Sequence, residues 1–313
     1  MFSMASIAEQ IRECTVAVTG AGGFIGRSVV GALVEHGANV RALISAPGQP
    51  VSVLHSERVR NLCADITDKA ALRGLFEGAD VAIHMAGPPS VSASFEDPVE
   101  YARVHVCGTA AVLDECRRTK MKRFVYLSSA EVYGQPQTNP ITEQHPLAPR
   151  SPYAAAKCGA ESFISTFTAT CGMSSVILRP FSIYGADAPS GGVVSTILRM
   201  ARFEDSIVLG DLSPIRDFCH VDDLTAAILG SCVVGLESSQ VVNIGTGKGV
   251  SVGDFAKAAL TLVGRSIPIR EDASRRRCLQ TEIQKLVADP MRARQVLGWK
   301  ASLSLEEGIR RSI

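Results

Sequence analysis

The sequence lacks an excess of charge of either sign. It has 32 Lys and Arg residues against 31 Asp and Glu residues, for a net charge of +1. Proteins that attract nucleic acid or membrane surfaces through their overall field carry a large positive excess. The charge balance therefore excludes those two classes of partner, and we expect any polyanionic ligand to be bound by a few local groups.

Paired cysteines and long apolar runs are also missing. The nine cysteines are scattered and contain no Cys-x-x-Cys pair, which favours reduced thiols over a disulfide framework or a zinc site. The N-terminal segment does not resemble a signal sequence, and no run approaches the roughly 18 consecutive apolar residues of a membrane span. We expect a cytoplasmic protein without a metal site.

Short apolar runs alternate with helical patterns through the first half of the 313 residues. The pattern predicts strands at residues 16–19, 39–44, 59–63, 81–84, 124–128 and 175–178, with helices between most of them. Such alternation is typical of an α/β fold with a doubly wound parallel sheet, the Rossmann arrangement, in which ligands bind at the carboxyl ends of the strands.

Irregular, glycine- and proline-rich sequence follows residue 180 and indicates a smaller, mostly C-terminal lobe. The pattern at residues 216–247 indicates that the chain returns to the first domain there. We therefore predict a dinucleotide-binding domain at 1–180 plus about 216–247, and a substrate-binding lobe at about 181–215 plus 248–313. A substrate would lie between the two.

A glycine loop follows the first predicted strand and precedes a predicted helix at residues 24–34. Gly20, Gly23 and Gly26 permit a tight turn and a close backbone approach to a ligand. The N-terminus of the following helix offers unpaired N–H groups and the positive end of its dipole. This context predicts a site for the pyrophosphate of a dinucleotide.

Tyr153 and Lys157 form a candidate proton-transfer pair. Residues four apart lie on one face of a helix, and Pro152 suits the first turn of one. A free phenol titrates near pH ~10, so a fixed positive charge beside Tyr153 would favour the phenolate that a general base requires. The pair and the glycine loop together predict an enzyme.

Ten short motifs and their order along the chain resemble those of the extended short-chain dehydrogenase/reductases. Among these enzymes, they resemble the NAD-dependent epimerase/dehydratase family, which modifies nucleotide sugars. The motifs are Thr19-Gly-Ala-Gly-Gly-Phe-Ile-Gly26, Asp65-Ile66, His84-Met-Ala-Gly87, Val106-Cys-Gly-Thr109, Ser128-Ser-Ala-Glu-Val-Tyr-Gly134, Tyr153-x-x-x-Lys157, Leu178-Arg-Pro-Phe181, Arg216-Asp-Phe218, Asn243-Ile-Gly245 and Leu297-Gly-Trp299. The resemblance covers almost the whole chain.

The resemblance implies a cofactor, a catalytic unit and a substrate class. The cofactor is NAD, and the substrate is a nucleotide-diphosphate sugar. Tyr153 would take the proton from a sugar hydroxyl, Lys157 would also bind the nicotinamide ribose, and Ser129 would hydrogen-bond the reacting oxygen. The implied cofactor-binding residues are Gly20, Gly23, Phe24, Ile25, Gly26, Ile44, Ser45, Asp65, Ile66, Ala86, Gly87, Tyr153 and Lys157. The implied substrate-binding residues are Ser90, Ser129, Ser182, Arg216 and Arg275.

Three positions depart from the family pattern. The family's NAD-dependent members have an acid at the end of the second strand, where this chain has Ile44 and Ser45, so NADP stays open as an alternative. His105 replaces an asparagine. The histidine is either a core group or a residue that alters the hydrogen bonding behind the site. Ser182 replaces an asparagine that binds substrate phosphates. For Arg216, an ion pair with Asp217 or Asp222 is the alternative to a diphosphate contact.

The residues near the sugar leave several reactions open. Dehydratases that resemble this chain use a glutamate at Glu131 to remove a proton from C5, and many have an acid where this chain has Ala130. We favour an epimerase that works through a transient 4-keto sugar. The alternatives are a 4,6-dehydratase or decarboxylase using Glu131, an NADPH-dependent 4-ketosugar reductase, and a non-catalytic NAD(P) sensor or structural protein. The resemblance also implies a homodimer formed by helices at about residues 98–119 and 152–171.

Overall fold

Strands and helices alternate along the chain as the sequence predicts. The computed structural model describes residues 4–45, 55–236, 238–275 and 282–313. The strands are β1 (Thr15–Thr19), β2 (Asn39–Ile44), β3 (Val59–Cys63), β4 (Val81–His84), β5 (Arg123–Leu127), β6 (Ser174–Pro180), β7 (Ser182–Tyr184), β8 (Ile207–Leu209), β9 (Ile215–Arg216), β10 (Phe218–His220), β11 (Gln240–Ile244), β12 (Val250–Ser251), β13 (Ile269–Glu271) and β14 (Lys285–Leu286).

Helices connect most of these strands. The α-helices are α1 (Met4–Ile11), α2 (Phe24–Glu35), α3 (Lys69–Phe76), α4 (Ala93–Glu96), α5 (Pro98–Ala102), α6 (Gly108–Arg118), α7 (Pro152–Cys171), α8 (Val193–Phe203), α9 (Val221–Val233), α10 (Val252–Val263), α11 (Met291–Leu297) and α12 (Leu305–Ser312). Among the described residues, no helix is both long and apolar enough to cross a membrane.

A seven-stranded parallel sheet forms the centre of the molecule, in the order β11-β6-β5-β4-β1-β2-β3. Successive strand residues point to opposite faces. Val16 and Val18 accordingly enter the core on the face covered by α2 and α9, while Ala17 enters the core under α3 and α6. This doubly wound arrangement confirms the predicted fold class.

The helix predicted at residues 98–119 is interrupted. A π-helical turn, Arg103–Cys107, separates α5 from α6. Such turns are rare and occur frequently at functional sites, because the extra residue changes the direction of the side chains that follow. The apolar spacing of the sequence did not predict this turn, which contains Arg103 and His105.

The shorter strands and helices α8, α10 and α12 surround a third core, to which Tyr184 and Phe255 belong. Two buried carboxylates attach neighbouring segments. Asp217 accepts hydrogen bonds from Thr246 and from the backbone of Gly247 and Ala288, and Asp223 accepts from the C-terminal segment at Ser302. The predicted division of the chain at about residues 180, 216 and 247 stays a prediction.

Candidate active site

The glycine loop after β1 forms a cradle that side chains would fill. Gly20 has a φ of 72°, and a Cβ there would lie 2.8 Å from the backbone nitrogen of Ala86. A Cβ on Gly26 would lie 2.1 Å from the carbonyl oxygen of Gly20. Gly23 is the N-cap residue of α2 and has no side chain that could accept a hydrogen bond from the helix. The first N–H groups of α2 therefore face the loop without a side-chain cap. These residues fit the pyrophosphate of a dinucleotide.

The residues expected around the adenosine lie at the ends of β2 and β3. Ile44 is half-buried, Ser45 is exposed, and the carbonyl of Ile44 accepts a hydrogen bond from Ala64. Arg41 donates to the carbonyls of Leu75 and Glu77 on the α3 side. Arg41 therefore connects β2 to α3 through its Nη1 atom.

Asp65 is already bound within the protein. Its two carboxylate oxygens lie 2.8 and 2.9 Å from the Arg103 guanidinium, and Thr67 donates two further hydrogen bonds. These contacts, those of Arg103 first, hold the pKa of Asp65 well below its ordinary value. The neighbouring Ile66 is buried against Gly108. An adenine contact to Asp65 would have to share a carboxylate that Arg103 and Thr67 occupy.

Tyr153 and Lys157 occupy one face of α7, as predicted. Ser151 caps the helix through its hydroxyl, and Tyr153 is hydrogen-bonded to Ser129 at the end of β5. The Lys157 Nζ donates to the carbonyl of Leu127 at 2.7 Å and lies 5.9 Å from the centre of the Tyr153 ring. The structure therefore brings Ser129, Tyr153 and Lys157 together at the carboxyl end of the sheet.

Burial dominates the titration of both groups. It raises the pKa of Tyr153 to about 12, against the lowering effect of the Ser129 hydrogen bond, and the negative charge of Glu131 adds to the rise. Burial also lowers the pKa of Lys157 to about 7. The tyrosine is thus protonated at neutral pH in the ligand-free protein. Lys157 does not by itself produce the phenolate that the sequence argument expected, and further positive charge is needed.

His105 lies directly behind Tyr153. Its ring is buried, packs edge-on against the Tyr153 ring at 5.5 Å, and has Nε2 3.1 Å from the carbonyl oxygen of Pro88. Burial and the charge of Lys157 lower the pKa of His105 to about 2, so the ring is neutral. A Cβ on Gly87, whose φ is 136°, would lie 2.1 Å from this ring. His105 is therefore a core group that requires glycine at position 87.

Glu131 and Ser182 lie at the expected sugar end. Glu131 is half-buried in a 3-10 turn, Ala130–Tyr133, and its backbone N–H donates to the Ser129 hydroxyl at 3.2 Å. Ala130 is buried. Ser182 begins β7, and its N–H donates to the carbonyl of Asp217. Glu131 thus lies close enough to Tyr153 to influence its titration.

The predicted diphosphate contacts are engaged elsewhere. Arg216 forms an ion pair at 2.7 Å with Glu282, and not with Asp217 or Asp222, the partners of the alternative that the sequence left open. Arg275 donates to the carbonyl of Val208 at 3.1 Å.

The other two arginines of the run, Arg276 and Arg277, lie outside the described residues. The Ser90 hydroxyl accepts from the backbone of Ala93, and the Ser90 carbonyl accepts from Tyr101. Arg216 and Arg275 would have to exchange or share these partners to bind a ligand, whereas the Ser90 hydroxyl only accepts and keeps its proton to donate.

Sequence reasoning missed a buried polar network beneath the site. Glu161 pairs with Arg179 at 2.5 Å, and Arg179 also donates to the Tyr133 hydroxyl at 2.9 Å. Tyr133 donates in turn to Asn243 at 2.7 Å, and Ser128 donates to Glu161. Glu161 lies four residues after Lys157, and this helical spacing was the available signal.

The parallel sheet, the glycine cradle and the Ser129, Tyr153 and Lys157 unit together define a dinucleotide-dependent short-chain dehydrogenase/reductase. A family model described as GDP-mannose 4,6 dehydratase matches residues 17–312. The chain belongs to the NAD-dependent epimerase/dehydratase family of extended short-chain dehydrogenases/reductases.

Similar proteins include a putative UDP-glucose 4-epimerase of Methanocaldococcus jannaschii, 32% identical over 95% of this chain and 97% of the relative. The UDP-glucose 4-epimerase of Bacillus subtilis is 30% identical over 93% of this chain and 94% of the relative. Among solved structures, MoeE5 in complex with UDP-glucose and NAD has a TM-score of 0.86 and 29% identity over 96% of this chain and 97% of its own. These relatives favour the epimerase over the alternative reactions.

Proposed function

We propose that this protein is an NAD-dependent epimerase that inverts C4 of a UDP-sugar. The observation that carries the proposal is the Ser129, Tyr153 and Lys157 unit beside the glycine cradle. The relatives support both the nucleotide and the reaction, because they are named UDP-glucose 4-epimerases, and MoeE5 binds UDP-glucose together with NAD.

Bound NAD supplies a hydride acceptor and a positive charge at the nicotinamide. Tyr153 takes the proton of the C4 hydroxyl as the C4 hydride leaves, and the C–O bond becomes a carbonyl. Ser129 donates a hydrogen bond to that oxygen, and Lys157 stabilises the tyrosine oxygen in its charged form. Once the keto sugar has turned over, bound cofactor would supply the hydride to its other face. Tyr153 then returns the proton, so no atom is gained or lost.

The residues beside Tyr153 fit inversion better than elimination. Ala130 offers no acid to expel a C6 hydroxyl. Glu131 is the residue that the dehydratase or decarboxylase alternative would use as a base. The relatives named above are epimerases, although the matched family model has a dehydratase name, so the product must be identified directly.

We propose NAD as the resident cofactor. The structures of MoeE5 support this choice, because both contain NAD. The absence of an acid at Ile44 and Ser45 predicts weak discrimination between the two cofactors. Comparative titration by tryptophan fluorescence or calorimetry measures both affinities. Undetectable NADP binding would contradict the weak discrimination.

We also propose a homodimer in the cytoplasm. Apolar side chains are exposed along the helices expected at the interface, with Val99 on α5 at 76% exposure and Phe163 on α7 at 40%. Exposed apolar surface of this kind marks association sites. The substitution Phe163→Glu should convert a dimer to a monomer in light-scattering chromatography. A wild-type protein that elutes as a monomer would contradict this assembly.

A substrate panel tests the proposed reaction. The protein is incubated with UDP-, dTDP- and GDP-sugars, with and without added NAD or NADPH, and the products are identified by mass spectrometry and proton NMR. We expect a UDP-hexose to give its C4 epimer at unchanged mass. Loss of water or carbon dioxide, or consumption of stoichiometric NADPH, would replace the epimerase with one of the alternatives.

A further inference from the structure

Three consecutive residues at the end of β5 contact one face of α7. The Leu127 carbonyl accepts a hydrogen bond from Lys157, the Ser128 hydroxyl donates to Glu161, and Ser129 is hydrogen-bonded to Tyr153. The three helix residues are spaced four apart, so they lie along one face. The strand and helix are therefore held together by three polar contacts, and Glu161 makes the one nearest the C-terminal end of α7.

Glu161 has the most extensive set of buried partners of these three. Both of its carboxylate oxygens accept from Arg179, at 3.0 and 2.5 Å, while Ser128 donates at 2.5 Å. Arg179 continues to Tyr133, whose turn contains Glu131. The ion pair thus connects the helix with β5, β6 and the 3-10 turn, which are the elements that present the residues of the proposed active site.

The Glu161 carboxylate also acts on the charge of Lys157. From its own helix, Lys157 faces Glu161 and Tyr153, with the Tyr153 ring centre 5.9 Å from its ammonium. From β5, the Tyr126 ring lies 4.8 Å away, and from β4 and the π-helical turn come His84 and His105, both kept neutral by burial. Glu161 supplies negative charge that opposes the burial of the ammonium.

We propose that Glu161 is a positioning residue for the reaction: its carboxylate fixes Ser128, and so sets the register of Ser129 and Leu127 against Tyr153 and Lys157, while its charge favours the cationic form of Lys157. The inference rests on the proposed function, because the geometry it preserves is that of the proton-transfer unit. Glu161 itself touches neither substrate nor cofactor.

Three variants distinguish an effect on the positions of the reacting groups from an effect on the stability of the fold. Glu161→Gln removes the charge and leaves Arg179 buried without its partner, which lowers the melting temperature. The double variant Glu161→Leu with Arg179→Met removes both charges with side chains of similar volume, and such replacements are often neutral for stability. Ser128→Ala breaks only the strand contact. The control is Glu115→Gln, which breaks the ion pair of another buried glutamate, here with the exposed Arg118 on α6, away from this unit.

Epimerisation kinetics give the first readout. We expect kcat to fall on the order of 100-fold in the double variant with KM little changed, because displacing reacting groups by about an ångström has that effect. Ser128→Ala should show a smaller fall, and Glu115→Gln none beyond its loss of stability. A folded double variant with the wild-type kcat would overturn the positioning role.

Titration of Lys157 gives a second readout that requires no activity. Lysine-selective 13C NMR follows the side-chain Cε of the ligand-free protein, with the resonance assigned by its loss in Lys157→Met. The pKa should move down in Glu161→Gln and stay in Glu115→Gln, and an unmoved pKa would overturn the electrostatic role. If the wild type epimerises no UDP-sugar, the proposed function fails, while this titration still decides whether Glu161 controls the charge of Lys157.

Discussion

Replacing Tyr153 with phenylalanine removes one hydroxyl and should leave the fold intact. The ring keeps its edge contacts with Tyr101 and His105, and Ser129 still accepts a hydrogen bond from the backbone of Glu131. The loss in stability is then that of a single hydrogen bond, about 0.5–1.5 kcal/mol. A positioned general base contributes roughly 10²- to 10⁴-fold to the rate. This factor corresponds to about 3–5 kcal/mol of transition-state stabilisation.

The effect of Tyr153→Phe should therefore appear in kcat and scarcely in the melting temperature or in NAD affinity. Proton NMR of the anomeric signals follows conversion of UDP-glucose to its C4 epimer under saturating NAD. Tyr184→Phe is the matched control, because it also loses one buried hydroxyl but lies in the third core, with Phe255. A Tyr153→Phe variant that keeps a kcat within about threefold of wild type would refute the assignment of the base.

Three further predictions test other parts of the site. Gly26→Ala should abolish NAD binding in calorimetry, because its Cβ would lie 2.1 Å from the Gly20 carbonyl oxygen; NAD binding at wild-type affinity would contradict the cradle. Glu131→Gln should leave epimerisation nearly intact, and a loss of deuterium uptake at C5 would instead identify a dehydratase. Burial lowers the pKa of Lys157 to about 7, whereas a free lysine titrates near pH ~10. Between these two pH values the unfolded chain therefore binds more protons than the folded protein. The stability of wild type relative to Lys157→Met should consequently rise with pH across that interval in urea denaturation, and a constant difference would show that Lys157 is not desolvated.

The sequence predicted the central sheet well because buried parallel strands are short apolar runs. Residues 16–19 and 124–128 were placed within one residue of β1 and β5 at each end. The shorter strands of the second lobe, such as the two-residue β9 and β14, lack enough length for a periodic pattern. Their pairing depends on neighbours brought together by the tertiary fold.

The residues of the site that stand in local motifs were predicted from the sequence. The ion pairs between residues distant in the chain were not. Gly20, Tyr153 and Lys157 stand in short motifs whose spacing reflects a turn or a helix. The partner of Arg216 is Glu282, and the partner of Asp65 is Arg103, at sequence separations of 66 and 38 residues. Periodicity does not encode such pairs, so the sequence argument treated these side chains as available to ligands when each is already bound within the protein.

The position of β11 limits how the molecule can be divided for recombinant work. This strand closes one edge of the central sheet by pairing with β6, although some 60 residues, from Phe181 to Ser239, lie between them in the chain. A fragment ending after Pro180 would contain the glycine cradle and Tyr153 but would expose β6, whose side chains are buried almost throughout. An apolar strand edge of that kind pairs readily with other chains and aggregates. Expression of the cofactor domain alone therefore requires β11 to be joined to β6 by a designed linker.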